Sequence, residues 1–324
     1  MTTLVTGATG LVGNNVVRLL LDRGQAVRAL VRESSDARPL EGLDVEVVRG
    51  DVCDADSVAR AMQGARCVVH SAAMVYIGWQ QAETQRRVNV EGTRLVALAA
   101  RDAGARMIHV SSVDALGPGT KESPSDERAP FHAPVPYPYP VTKHQAEQAV
   151  LEEVEKGLDA VIVNPVFMLG PWDWKPSSGR LLLEVVRRKP LICPPGGGDF
   201  CDVRDVAAGI LTAIEKGRTG ARYILGGEPL SYYDAWHLFA EVCGSRGPIR
   251  VGRPAMLRIA GRLGDLWGKL SGREPDINSA AVGMSLFAHH YSYVRAADEL
   301  GYDPRPIRES VEAAWAWFEE QGYA

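Results

Sequence analysis

The chain has 324 residues, 46% hydrophobic and 23% charged, with 36 basic against 40 acidic side chains and a net charge of −4. That composition suits a globular protein with a sizeable core and excludes disorder as the dominant state. Near-balanced charge argues against a general polyanion-binding surface, and no apolar run reaches the roughly 18 residues of a membrane span.

The first strand is predicted at Leu4–Thr6 with no basic and apolar leader before it, so a cytoplasmic protein is expected. Further strands are predicted at Ala26–Val31, Val45–Arg49, Cys67–His70, Arg106–Ser111 and Ala160–Asn164. Helical periodicity fills the gaps at Val12–Arg23, Ser57–Gln63, Ala82–Ala103 and Val141–Lys156. This alternation predicts an α/β protein with a doubly wound parallel Rossmann sheet over residues 1–165. Residues 166–324 read as a smaller mixed α/β substrate region with segments returning to the sheet. Its predicted helices are Leu181–Arg188, Val203–Lys216, Tyr232–Cys243, Ala255–Leu270 and Ile307–Gln321, with an extended piece at Arg222–Leu225 and glycine-rich turns such as Gly196-Gly197-Gly198. The five cysteines are scattered, without C-x-x-C spacing or clustered histidines, so neither a disulfide framework nor a metal site is expected.

Gly7, Gly10 and Gly13 follow the first strand and open the first helix, with Thr9, Leu11 and Val12 between and beside them. Glycine at such a turn lets the backbone approach a pyrophosphate, which then lies on the helix N-terminus. The second strand ends without an acid, and Arg32 lies just past it. A guanidinium there suits a 2′-phosphate, which favours NADP(H) over NAD, although Arg28 and Arg32 also read as surface charges.

Tyr139 and Lys143 are four residues apart on a predicted helix, so their side chains share a face. A lysine ammonium near a phenol favours phenolate, lowering a pKa that starts near ~10. Ser112, in Ser111-Ser112-Val113-Asp114, follows a predicted core strand about thirty residues earlier.

These motifs together resemble an extended short-chain dehydrogenase/reductase. The resemblance runs through Gly50-Asp51-Val52, Ser71-Ala72-Ala73, Asn89-Val90-Glu91-Gly92-Thr93, Asn164-Pro165, Gly170-Pro171 and Phe200–Val206 to Trp317-Phe318. It is greatest to the dihydroflavonol-reductase-like, hopanoid-associated epimerase-like and 3β-hydroxysteroid-dehydrogenase-like members. The resemblance implies that Ser112 binds the substrate oxygen, Tyr139 exchanges its proton, and Lys143 holds the nicotinamide ribose. It also implies cofactor contacts from Asp51, Val52, Ala72, Ala73, Asn164 and Val166, and a homodimer. Asn89 reads equally as a functional residue and as a helix-start or core-polar one, and Asp205, at another helix start, reads as structural.

Within that family, dehydratases carry Asp then Glu after the catalytic hydroxyl, where this chain has Val113 and Asp114. Nucleotide-sugar epimerases commonly place an arginine where Gly198 stands before Asp199-Phe200. The expectation is therefore an oxidoreductase for a carbonyl or secondary alcohol of a small or moderately hydrophobic molecule. Epimerisation of a sugar or nucleotide sugar is the alternative, and a non-catalytic dinucleotide-binding regulator is another. Asp114, Phe167, Met168, Trp172 and Trp174 are the candidate substrate contacts. Finally, Met256, Ile259, Leu263, Leu266, Trp267 and Leu270 make an apolar helical stripe beside Arg258, Arg262 and Lys269. Such a helix lies on a membrane, covers a lipophilic pocket or packs on the core.

Overall fold

The structure, a computed structural model, describes residues 2–324. Seven parallel strands form the main sheet: β1 (Thr2–Thr6), β2 (Ala26–Val31), β3 (Val45–Arg49), β4 (Cys67–His70), β5 (Arg106–Val110), β6 (Ala160–Pro165) and, from the second half, β10 (Arg222–Leu225). Their order is β10-β6-β5-β4-β1-β2-β3, the Rossmann arrangement with a late strand added at one edge. Central strands read as continuous apolar runs because helices cover both faces; β4 and β6 are buried at every residue. Alternate side chains feed opposite cores. Val5, Val69, Ile108 and Val163 point to one, and Leu4, Val68, Met107 and Ile162 to the other.

The first core is closed by α1 (Leu11–Asp22) and α7 (Val203–Lys216), which pack on each other. The second is closed by α2 (Ala55–Met62), α4 (Gly92–Asp102) and α5 (Pro138–Glu155). A short α3 (Ala82–Arg86) leads into α4 through a wider π turn, Arg87–Glu91, so the predicted single helix over 82–103 carries an inserted bulge. The start of α2 lies two residues earlier than predicted because Asp54 caps it, accepting the Ser57 N–H at 3.2 Å.

The remaining chain builds a third core around Phe200, Phe239, Trp317 and Phe318. It contains β7 (Phe167–Leu169), α6 (Gly179–Arg188), β8 (Ile192–Cys193), β9 (Gly197–Asp202), β11 (Glu228–Ser231), α8 (Tyr232–Val242) and β12 (Arg250–Val251). After these come α9 (Pro254–Ser271), α10 (Ser279–Ser285), β13 (Ala288–His289), α11 (Val294–Leu300) and α12 (Ile307–Glu320). A second sheet is centred on β9, which pairs with β7, β11 and β13. This corrects the reading of Gly196–Gly198 as a turn. Gly197 and Gly198 lie inside β9, and a side chain on Gly197 would collide with the Leu230 carbonyl of the neighbouring strand.

Candidate active site

Several functional segments leave the sheet at one edge, where parallel strands end and helices begin. After β1, Gly7 takes φ +71°, and a Cβ there would approach the Ala72 N at 2.7 Å. A Cβ on Gly13 would overlap the Gly7 carbonyl, so Gly13 lets the helix sit against its own turn. Gly10 differs: a Cβ would meet only the Gly7 carbonyl, at 3.4 Å, so its outer side is open. The first turn of α1 has no side-chain cap, leaving its N–H groups to face whatever lies over Gly10. Open glycine backbone at an uncapped N-terminus fits the pyrophosphate of a dinucleotide. Thr9, Leu11 and Val12 belong to this turn.

At the end of β2, Arg32 is exposed, forms no ion pair among the described residues, and its carbonyl accepts from Arg49 Nη1 at 3.2 Å. Two guanidinium groups therefore share this corner. Asp51 uses Oδ1 to accept the Cys53 N–H at 2.9 Å, and Val52 packs under Gly92, where a Cβ would approach it at 3.1 Å. Beyond β4, the loop is fixed by Ser71 Oγ donating to the Thr6 carbonyl at 2.7 Å and by Ala72 N donating to Thr6 Oγ1 at 3.3 Å. Ala73 is exposed next to it. Asn89, in the π turn, accepts from Met74 N at 2.7 Å and donates to Thr142 Oγ1 at 3.1 Å, tying this loop to α5.

Ser112 follows β5. Its Oγ accepts the Asp114 N–H at 3.2 Å and donates to Asp114 Oδ2 at 3.3 Å. Tyr139 and Lys143 stand in the first turns of α5, and Lys143 Nζ donates to the Val110 carbonyl at 2.8 Å. The expected lowering of the Tyr139 pKa is corrected here. Burial and the nearby Asp114 carboxylate push the phenol above its ordinary range, and a hydrogen bond with Ser112 opposes them only in part. Burial in turn pulls Lys143 down to about 8, against Glu147 and Asp114, which favour its charge. Asp114 is itself pushed up by burial, with His289, Ser112 and Lys143 opposing.

Asn164 lies at the end of β6. Its side chain is fully buried and donates to the Ser112 carbonyl at 2.9 Å and to Glu147 Oε1 at 2.6 Å, so its amide nitrogen braces the Ser112 loop. Glu147 is held in turn by Arg222 Nε at 2.7 Å, from the edge strand β10. Val166 is buried where the chain leaves β6, its N–H committed to the Leu225 carbonyl at 3.2 Å.

Beside Asp114 lies a narrow cleft, lined by Leu116, Val135, Tyr137, Met284, Phe287, His132, His289 and Tyr291 among others, with neither Arg nor Lys in its wall. Of the candidate substrate contacts, only Asp114 lines it. Phe167 instead packs edge-on against Phe200 at 5.2 Å, and Met168 packs on the first core. Trp172 and Trp174 cluster with Trp317, and the Arg18 guanidinium lies 3.3 Å above the Trp172 ring. These two belong to the packing of the third core against α1; Trp172 is held at φ +70°, unusual for a bulky residue. The wall residues that sequence reasoning missed come from two distant stretches. They are joined by the bridges Gly119–His290 and Ser125–Tyr291, which leave no periodic signal.

The chain matches the sequence profile of the NAD dependent epimerase/dehydratase family over residues 3–226 and belongs to that family. It is an enzyme of the extended short-chain dehydrogenase/reductase type. It is 36% identical to sterol demethylase protein B of Methylococcus capsulatus, covering 99% of each chain. It is also 32% identical to a 4-hydroxy-2-methyl-3-oxo-4-farnesyl-3,4-dihydroquinoline-1-oxide ketoreductase of Stigmatella aurantiaca, covering 94% of this chain and 92% of that one. Among solved structures, gox2253 superposes with a TM-score of 0.88 at 37% identity and 99% coverage of both chains.

Proposed function

We propose that the protein is an NADP(H)-dependent reductase that converts a ketone of a lipophilic molecule to a secondary alcohol, working as a homodimer. The observation that carries this reading is the placement of Ser112 and Tyr139 against Asp114, at a cleft whose wall combines Leu116, Val135, Met284 and Phe287 with His132 and His289 and has neither Arg nor Lys. A nucleotide sugar would bring a diphosphate that such a wall leaves unpaired. The names of the sterol and farnesyl-quinoline relatives favour the same substrate class. Arg32 and Arg49, at the corner where the 2′-substituent of the adenosine ribose would lie, favour the phosphorylated cofactor.

NADPH, when bound over Gly10, supplies the hydride. The Ser112 hydroxyl, which holds a long bond to Asp114 and faces Tyr139, turns to donate to the carbonyl oxygen. The Tyr139 phenol delivers its proton to the same oxygen as negative charge develops there. Lys143, anchored on Val110, presents its remaining ammonium protons toward the ribose hydroxyls. The test is purified enzyme with NADPH and a panel of steroid, isoprenoid and aromatic ketones, followed by loss of nicotinamide absorbance. Alcohol product in step with NADPH consumption is expected. Isomerised sugar product without net NADPH consumption would overturn the reading in favour of epimerisation.

A further inference from the structure

Helix α9 is built inside out. Gly261, Gly264 and Gly268 face the 274–279 segment and α10, where a Cβ on Gly261 would approach the Asn278 carbonyl at 3.1 Å and one on Gly268 the Glu274 Cα at 3.3 Å. The large apolar residues look the other way. Leu270 is 75% exposed, Trp267 63%, Ile259 and Leu263 61%, Leu266 55% and Met256 46%. A surface helix ordinarily turns such a stripe to the core, so this one is displayed. The patch continues onto Ile277 and Trp79, because Glu274 ties the 76–80 loop to the hairpin by accepting from Tyr76 Oη at 2.8 Å and from Gln80 N at 2.9 Å.

The cations around this stripe are unpaired. Arg253, Arg258, Arg262, Lys269 and Arg273 are exposed, and none forms an ion pair among the described residues. The acids nearby are engaged: Asp265 caps Ser279 N at 2.9 Å, Glu274 holds the loop, and Asp276 pairs with Arg180 at 3.1 Å. A second copy of the chain would suit the apolar stripe, but a two-fold contact would set this cationic rim against itself. An anionic bilayer surface satisfies both features, taking the apolar side chains among its acyl chains and the cations at its phosphates. We infer that the α9 face docks the enzyme peripherally on an anionic lipid surface. The same hairpin roofs the cleft, since Met284 and Phe287 line it and Gly283 sits against Val135, so docking brings the cleft mouth toward the bilayer.

The surface stands whether or not the reductase reading does, and its test does not use turnover. The full chain is sedimented with phosphatidylcholine vesicles and with vesicles in which phosphatidylglycerol replaces about a third of the lipid. Binding is expected to the anionic vesicles, weakening as salt rises. Arg258→Ala with Arg262→Ala should lower it about 25-fold, taking about fivefold per cation. Leu263→Glu with Leu266→Glu should abolish it, with circular dichroism unchanged because both residues are exposed. The tryptophan emission should shift blue on vesicles, and less so in Trp267→Phe. Protein left in the supernatant with both lipids, or binding that is equal on both and indifferent to salt, would overturn the inference. A dimer that ultracentrifugation shows to dissociate in the Leu263→Glu, Leu266→Glu variant, without vesicle binding by the parent, would instead assign the face to a second copy.

Discussion

Replacing Asn164 by alanine removes two hydrogen bonds from a fully buried position, one to the Ser112 carbonyl and one to the Glu147 carboxylate. The first is a neutral bond worth about 1 kcal/mol and the second, to an ionised acceptor, about 2 kcal/mol. Arg222 still holds Glu147, so the carboxylate is weakened but not abandoned, and a loss near 3 kcal/mol follows if the site does not collapse. At about 2 cal/mol/K of unfolding entropy per residue, that amounts to a fall in Tm of about 4 °C. Ser112 then loses its rear support, so kcat should fall about tenfold, as expected when a positioned donor drifts by a fraction of an ångström. NADPH affinity, measured by fluorescence titration, should stay within about twofold, because the amide nitrogen is committed to Ser112 and Glu147. Stopped-flow turnover and titration on one preparation separate the two effects. An Asn164→Ala enzyme with full kcat but strongly weakened NADPH binding would refute the bracing role and restore the cofactor contact implied by sequence resemblance.

Tyr139→Phe should lower turnover by about 10³-fold, the general-acid contribution, while NADPH still quenches protein fluorescence; a variant with wild-type turnover would exclude Tyr139 as the proton donor. Arg32→Ala should weaken NADPH by about tenfold, the value of a charge-assisted bond, and leave NADH within twofold. Equal effects on both cofactors would show that Arg32 does not read the 2′-phosphate. Because burial depresses Lys143 to about 8, its ammonium is present below that pH and lost as pH rises through it. Tyr139 is pushed the other way and stays protonated over the same range. The kcat/KM for NADPH should therefore be level below pH 8 and fall above it with the loss of one proton. A level profile to pH 10 would show that the ammonium is not required.

How much of this was legible in the sequence depended on whether the relevant forces are local. Helix Val203–Lys216 and strand Arg222–Leu225 lie where periodicity places them, because capping by Asp202 and four consecutive strand-forming residues are local facts. The glycine turn was legible for the same reason: positive φ at Gly7 and the overlap at Gly13 arise within seven residues. The cleft was not. Its wall joins a proline-broken stretch around Tyr137 to Met284–Tyr291 through two isolated bridges, and neither piece has a repeating pattern. Trp172 and Trp174 looked like pocket residues by type alone, yet Trp317, far along the chain, claims both. The α9 stripe was visible as a pattern, but a period of 3.6 does not say which way a stripe faces. The glycines on the opposite side carried that information.

The sheet has one further consequence, for the order in which the chain is made. Strand β6 obtains its outer neighbour only from β10, and between them the chain builds β7, α6, β8 and β9 before α7 returns to cover the sheet. During synthesis at about 5–20 residues per second, the open edge of β6 therefore waits roughly 3–12 s for its partner. Throughout that interval the half-made protein carries an unpaired strand that opens with four apolar residues, Ala160–Val163, the kind of edge that recruits other chains. The cofactor-binding half is thus complete in sequence well before it is safe in solution, and nascent chains stalled between residues 165 and 222 are the form in which this protein is most prone to aggregate.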